Sequence, residues 1–94
     1  MQKPLYSIIV SFYNEEAVLP LFHQSASAVM DSLSETADFE LLFVNDGSRD
    51  NSRQVLHQLM EKDPRVRVIH FSRNFGHEAA MLAGLDHYRG EAAI

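Results

Sequence analysis

The chain has 94 residues and a mass of 10.7 kDa, with 46% hydrophobic and 22% charged residues. That is one domain at most, of globular rather than disordered composition. Thirteen Asp and Glu against eight Lys and Arg leave a net charge of -5, which excludes a broad nucleic-acid surface because phosphate backbones are met by clustered cations. An acidic chain can still hold one small anion locally, with backbone N–H groups and an arginine. There is no cysteine, so disulfide scaffolds, thiolate zinc sites and cysteine nucleophiles are removed together, in keeping with a reducing cytoplasm. No run approaches the ~18 apolar residues of a membrane span. The start, Met1-Gln2-Lys3-Pro4, carries one cation and no small-residue cleavage site, so no signal peptide is expected and the chain reads as soluble and intracellular.

Leu5 to Phe12 is β-branched and aromatic with little alternation, which predicts a strand buried on both faces. Tyr13-Asn14-Glu15-Glu16 breaks it. A helical pattern follows with Val18, Phe22, Ala26, Val29, Met30 and Leu33 on one face, Pro20 falling in its first turn. Phe39 to Val44 is a second buried-type strand, closed by the turn chemistry of Asn45-Asp46-Gly47-Ser48. Asp50 or Ser48 is expected to cap a second helix carrying Val55, Leu56, Leu59 and Met60, which Asp63-Pro64 ends. Val66 to Phe71 is the third strand, more alternating and so placed nearer an edge. After the loop Ser72 to Gly76, a third helix is predicted over His77 to Arg89, with Gly90 as its stop. Ala92-Ala93-Ile94 begins a fourth strand and the chain stops there, which reads as a fragment with an unpaired edge. The order β-α-β-α-β-α-β predicts an α/β fold with a parallel sheet and right-handed crossovers.

In such sheets ligands bind outside the carboxyl ends of the strands. Three polar loops lie there: Tyr13 to Glu16, Asn45 to Asp50, and Ser72 to His77. The first has no glycine and the chain has no Gly-Lys pair, so dinucleotide and Walker phosphate cradles are both excluded. Asp46 can accept a hydrogen bond from a nucleobase N–H or simply form the turn, and Gly47 allows a flat ligand to approach. Ser48 and Asp50 read as helix caps. Arg73 suits a phosphate, or else a surface salt bridge to Glu78 or Asp86. Ala79, Ala80, Ala83 and Gly84 read as tight packing. No His pair has zinc-ligand spacing, His77 reads as a helix-start residue, and no hydrolase triad order or elbow is present.

Taken together, Tyr13-Asn14-Glu15-Glu16, Asn45-Asp46-Gly47-Ser48-Arg49-Asp50 and Ser72-Arg73-Asn74-Phe75-Gly76-His77-Glu78-Ala79-Ala80 resemble family 2 glycosyltransferases of GT-A fold. Within that family the chain is most similar to the polyprenyl-phosphate sugar transferases of the dolichol-phosphate mannose synthase and bactoprenol glucosyltransferase type. The resemblance spans essentially the whole chain, and three motifs in register are more specific than any one. It implies that residues 1–94 are the N-terminal, donor-binding part of one catalytic domain. It implies a UDP- or GDP-sugar donor, with Tyr13, Asn14, Glu15, Asp46 and Ser48 about the nucleoside and Arg73, Asn74 and Gly76 near the diphosphate. It further implies inversion by direct displacement, Mg2+ or Mn2+ as cofactor, a lipid-phosphate acceptor, and a place at the inner face of the membrane for the full-length protein.

The chain departs from the family in two places. Ser11-Phe12 stands where the family usually has a proline two residues before the tyrosine, and no Asp-x-Asp metal motif occurs. No catalytic or metal residue is therefore expected in this chain, and no sugar transfer from it alone. The alternative reading is a stand-alone nucleotide-binding or interaction module. A nucleotidyl-transfer enzyme, which wants a glycine-rich basic first loop, is disfavoured by Tyr13 to Glu16.

Overall fold

The computed structural model describes residues 3–94. Met1 and Gln2, which open the segment read against a signal peptide, lie outside the described residues. The elements are β1 (Leu5–Phe12), α1 (Leu19–Ser32), β2 (Asp38–Asn45), α2 (Ser52–Lys62), β3 (Val66–His70), α3 (His77–His87) and β4 (Ala92–Ala93). The strands form one all-parallel sheet in the order β3-β2-β1-β4. β1 and β2 pair along their whole length, from Leu5 opposite Asp38 to Phe12 opposite Asn45.

The lack of alternation in β2 has its cause in that order. β2 is interior and flanked on both faces, so Leu41, Leu42, Phe43 and Val44 are all fully buried. Leu41 and Phe43 join Phe12, Leu19, Met30, Leu56, Leu59 and Val66 in a core that involves α1 and α2. Leu42 and Val44 join Ile9 and Ala80 in a second core that involves α3. Two apolar faces on one sheet require two helical layers, which is the three-layer logic of parallel α/β proteins. β3 lies at the edge of the sheet, as its alternation predicted.

The structure alters several details of the sequence reading. In α1, Pro20 does occupy the first turn, but Leu19 and Met30 are the buried anchors while Val18, Val29 and Leu33 are exposed. Met60 of α2 is likewise exposed, its neighbours Leu56 and Leu59 taking the core. The helix α3 ends at His87 rather than Arg89, and Tyr88 is already extended. Gly90 does not stop the helix: it lies against β1, its N–H donating to Ser7 Oγ at 2.8 Å. The small-residue face of α3 packs as expected. A Cβ added at Gly84 would overlap Ile9 Cγ2, so only glycine lets α3 lie this close to β1.

What holds the end of α3 is a buried polar cluster that the sequence did not signal. Glu40, in β2, accepts from Ser7 Oγ, from Arg67 Nη1 at 2.7 Å and from the Arg89 N–H at 2.5 Å. Arg67 also donates to the His87 carbonyl at 3.1 Å. Burial pushes the Glu40 carboxyl upward, but the Ser7, Arg67 and Arg89 donors outweigh it and hold the carboxyl below its usual range. The cluster ties three strands to the α3–β4 connection and so positions β4 beside β1.

Candidate functional site

In the strand order β3-β2-β1-β4, the first three strands step one way and β4 lies on the other side of β1. The carboxyl end of β1 is therefore next to the topological switch point, where parallel sheets open a crevice. A cavity of about 290 Å³ lies there, lined by Ser11, Phe12 and Tyr13 from β1 and its exit, Asp46 after β2, and Asn74, Gly76 and His77 before and at the start of α3.

The loops around it are fastened to one another. Asn14 adopts a positive φ of 55°, which asparagine tolerates better than most residues. In that conformation its N–H donates to Ser48 Oγ at 2.9 Å and its Oδ1 accepts the Arg49 N–H at 2.8 Å. Asp50 Oδ2 accepts the Glu16 N–H at 3.3 Å. Asp46, 4% exposed, accepts from Phe75 N–H at 2.8 Å through one carboxylate oxygen and from Gly76 N–H at 3.1 Å through the other. The second loop thus clasps the first through Ser48, Arg49 and Asp50, and the third through Asp46.

Two expectations change here. Ser48 does not cap α2; it is engaged with Asn14, and Asn51 occupies the cap position without a side-chain cap bond. Asp50 Oδ1 does accept the Ser52 N–H, at 3.0 Å, next to the helix start. Gly47, at φ 71°, is indeed a place of close approach, but the Arg73–Asn74 backbone occupies the space, not a ligand. Any Cβ at Gly47 would collide with that backbone.

Of the eight residues singled out in the sequence, Tyr13, Asp46, Asn74 and Gly76 line the cavity. Asn14 and Ser48 do not line it but tie the first two loops together, and Glu15 is exposed. Arg73 makes no ion pair with Glu78 or Asp86; its guanidinium lies 4.7 Å from the centroid of the Phe75 ring, which packs edge-on against Phe71. Ser11, Phe12 and His77 also line the cavity and were not singled out. Ser11 and Phe12 carry a positional signal, as the last two residues of a strand whose carboxyl end faces the crevice. His77 carries one too, as the last residue of the third polar loop, but its pairing with Ser11, 66 residues away, does not show in the sequence.

The comparisons with known proteins decide the family. Residues 7–94 match the family described as "Glycosyl transferase family 2". The chain belongs to glycosyltransferase family 2. It is 49% identical over 89 residues to the "Uncharacterized glycosyltransferase YkcC" of Bacillus subtilis (strain 168), covering 95% of this chain and 27% of that protein. It is 39% identical over 88 residues to the "Prophage bactoprenol glucosyl transferase homolog" of Escherichia coli (strain K12), covering 94% of this chain and 28% of that one. The chain thus spans between a quarter and a third of the length of these family 2 relatives. In structure it is similar to a mannosyltransferase from Pyrobaculum calidifontis solved in complex with GDP-Man and Mn2+, with a TM-score of 0.69 and 21% identity. That likeness covers 97% of this chain and 26% of the archaeal one and establishes the fold, Rossmann-like and of GT-A type.

Among the described residues no three His, Asp or Glu side chains converge as a metal would require. Asp46 is the one carboxylate lining the cavity, so the described residues assemble no ligand set of their own for the Mg2+ or Mn2+ that the resemblance implies. Among the described residues no helix is long and apolar enough to cross a membrane.

Proposed function

We propose that this chain is the donor-binding part of a single glycosyltransferase catalytic domain, which transfers a sugar from a UDP- or GDP-sugar to a polyprenyl-phosphate lipid with inversion. The observation that carries this reading is the cavity at the switch point, where Tyr13, Asp46, Asn74 and Gly76 from three separate loops converge. The bactoprenol transferases among the relatives support the lipid acceptor, and the GDP-Man in the archaeal structure supports the donor.

Placement around the cavity supports a role for each residue. Tyr13, 40% exposed at the cavity rim, offers a ring on which a base or ribose can stack. Asp46 holds the third loop and keeps lone pairs free to accept a base N–H, since each carboxylate oxygen has two acceptor sites. Asn74 and Gly76 face the donor from the far loop, toward the diphosphate, with Arg73 beside them on Phe75. Asn14 and Ser48 serve the nucleoside by fixing the loop that carries Tyr13, and Glu15, on the same loop, is exposed and free to reach it. A lipid phosphate is already anionic when it attacks the anomeric carbon, so it demands little of a general base. The full-length protein would work at the inner face of the membrane, where its acceptor lies.

Titration of the purified chain with UDP and GDP tests the reading. Binding of one of them, weakened about tenfold by Tyr13→Ala or Asn74→Ala, is expected. Absence of binding to both nucleotides overturns it. Sugar transfer from a radiolabelled donor by these 94 residues alone is not expected, and its detection would mean that the chemistry does not need an Asp-x-Asp.

A further inference from the structure

We infer that His77 contacts the anionic part of the bound nucleotide and that Ser11 is its positioning residue; the inference rests on the nucleotide-binding reading above. Ser11 Oγ and His77 Nδ1 are 2.7 Å apart, joining the exit of β1 to the first residue of α3 across the cavity that both line. The cap position of α3 is Gly76, which has no side chain, and the ring of His77, the first helical residue, is turned to Ser11 of β1.

Anchoring Nδ1 leaves Nε2 as the ring atom offered to a ligand. The serine hydroxyl can either donate or accept, so it suits both charge states of the ring. When Oγ–H donates to Nδ1, the ring proton resides on Nε2. When the imidazole is protonated, Nδ1–H donates to Oγ and Nε2 again carries a proton. In both these states Nε2 is a donor matched to a phosphate oxygen, whereas the neutral ring protonated on Nδ1 leaves Nε2 an acceptor, so a bound phosphate selects the first two.

The composition of the cavity wall assigns this task to His77. Among the residues lining the cavity it is the only one able to carry positive charge. Arg73, the neighbouring cation, does not line the cavity and lies on Phe75.

The test compares each nucleoside diphosphate with its nucleoside, UDP against uridine and GDP against guanosine, by equilibrium titration of the chain. His77→Ala is expected to cost the diphosphate about tenfold in affinity while leaving the nucleoside unchanged, with His77→Gln, a neutral N–H donor, in between. Ser11→Ala is expected to show the same selective loss at about threefold, because it frees the ring without removing it. Thermal melts monitored by circular dichroism confirm that each variant is folded. Equal weakening of nucleoside and diphosphate in His77→Ala, or no weakening of either, refutes the inference while the donor-binding reading stands. Failure of the wild-type chain to bind either diphosphate removes both.

Discussion

Asp46→Asn separates two roles that a single aspartate at this position can have. The substitution keeps shape and volume but turns a group that accepts at both ends into one that accepts at one end and donates at the other. The Phe75 and Gly76 N–H groups, at 2.8 and 3.1 Å, would then face one acceptor and one amide NH2. One bond is lost outright and the survivor becomes neutral. Hydrogen bonds to charged groups contribute roughly 1.5–3 kcal/mol, and the site is buried, so the expected destabilisation is about 2–3 kcal/mol. With a urea dependence of roughly 1–2 kcal/mol/M for a chain this small, the unfolding midpoint should fall by about 1–3 M. The measurement is made without nucleotide. If Asp46 acts only as a base contact, the ligand-free midpoint stays put and nucleotide affinity alone falls. A shift below roughly 0.5 kcal/mol would refute the latch, since that is the ordinary scatter of surface substitutions.

Other expectations follow from the same geometry. Gly84→Ala gains up to about 1 kcal/mol of helix propensity but drives a methyl into Ile9, at an overpacking cost of roughly 1–3 kcal/mol; a net loss of stability is expected, and a raised melting temperature would show that α3 can lift off β1 freely. Glu40→Gln leaves Arg67 without its buried charge partner and should cost about 3 kcal/mol by chemical denaturation, with hydrogen-exchange protection lost first in α3 and β4. Asn14→Ala must sustain a positive φ without the Arg49 tie, for about 1–3 kcal/mol, whereas Asn14→Gly loses the tie alone and should be the milder change.

Acid should weaken the fold in two stages. Burial, with Arg53 and His57 nearby, lowers the His70 pKa below its usual 6.5. The native state then resists a proton that the unfolded chain accepts, so stability falls as pH drops through about 6.5. His70 Nδ1 lies 3.1 Å from Asn45 Nδ2, and Asn45 Oδ1 accepts the Ser48 N–H, so protonation there also loosens the second loop. The Asp63 carboxyl is held below its usual range mainly by its hydrogen bonds from Arg65, and Glu40 is also lowered. Their contribution is present above the ordinary carboxylate range and is lost below about pH 4.5. Melting temperatures measured across this range should fall in both windows, and His70→Gln should flatten the upper one.

The amino-acid order by itself determined the succession of strands and helices, the burial of β2 on both faces and the edge position of β3, because these depend on local periodicity and on the exclusion of polar side chains from a two-sided core. It also located the three polar loops at the strand ends, since Tyr13-Asn14, Asn45-Asp46-Gly47 and Ser72 to Gly76 interrupt apolar runs. Only the tertiary structure decided what those loops do to each other. Asp46 and Gly47 look like turn residues until β1 and β2 pair in register and bring the third loop over them, and Ser48 looks like a helix cap until Asn14 arrives across the sheet. The Ser11–His77 pair and the Ser7–Glu40–Arg67 cluster are equally silent in the sequence. Hydrogen bonds between residues 27 to 66 positions apart leave no periodic trace, because nothing but the sheet brings their partners within reach.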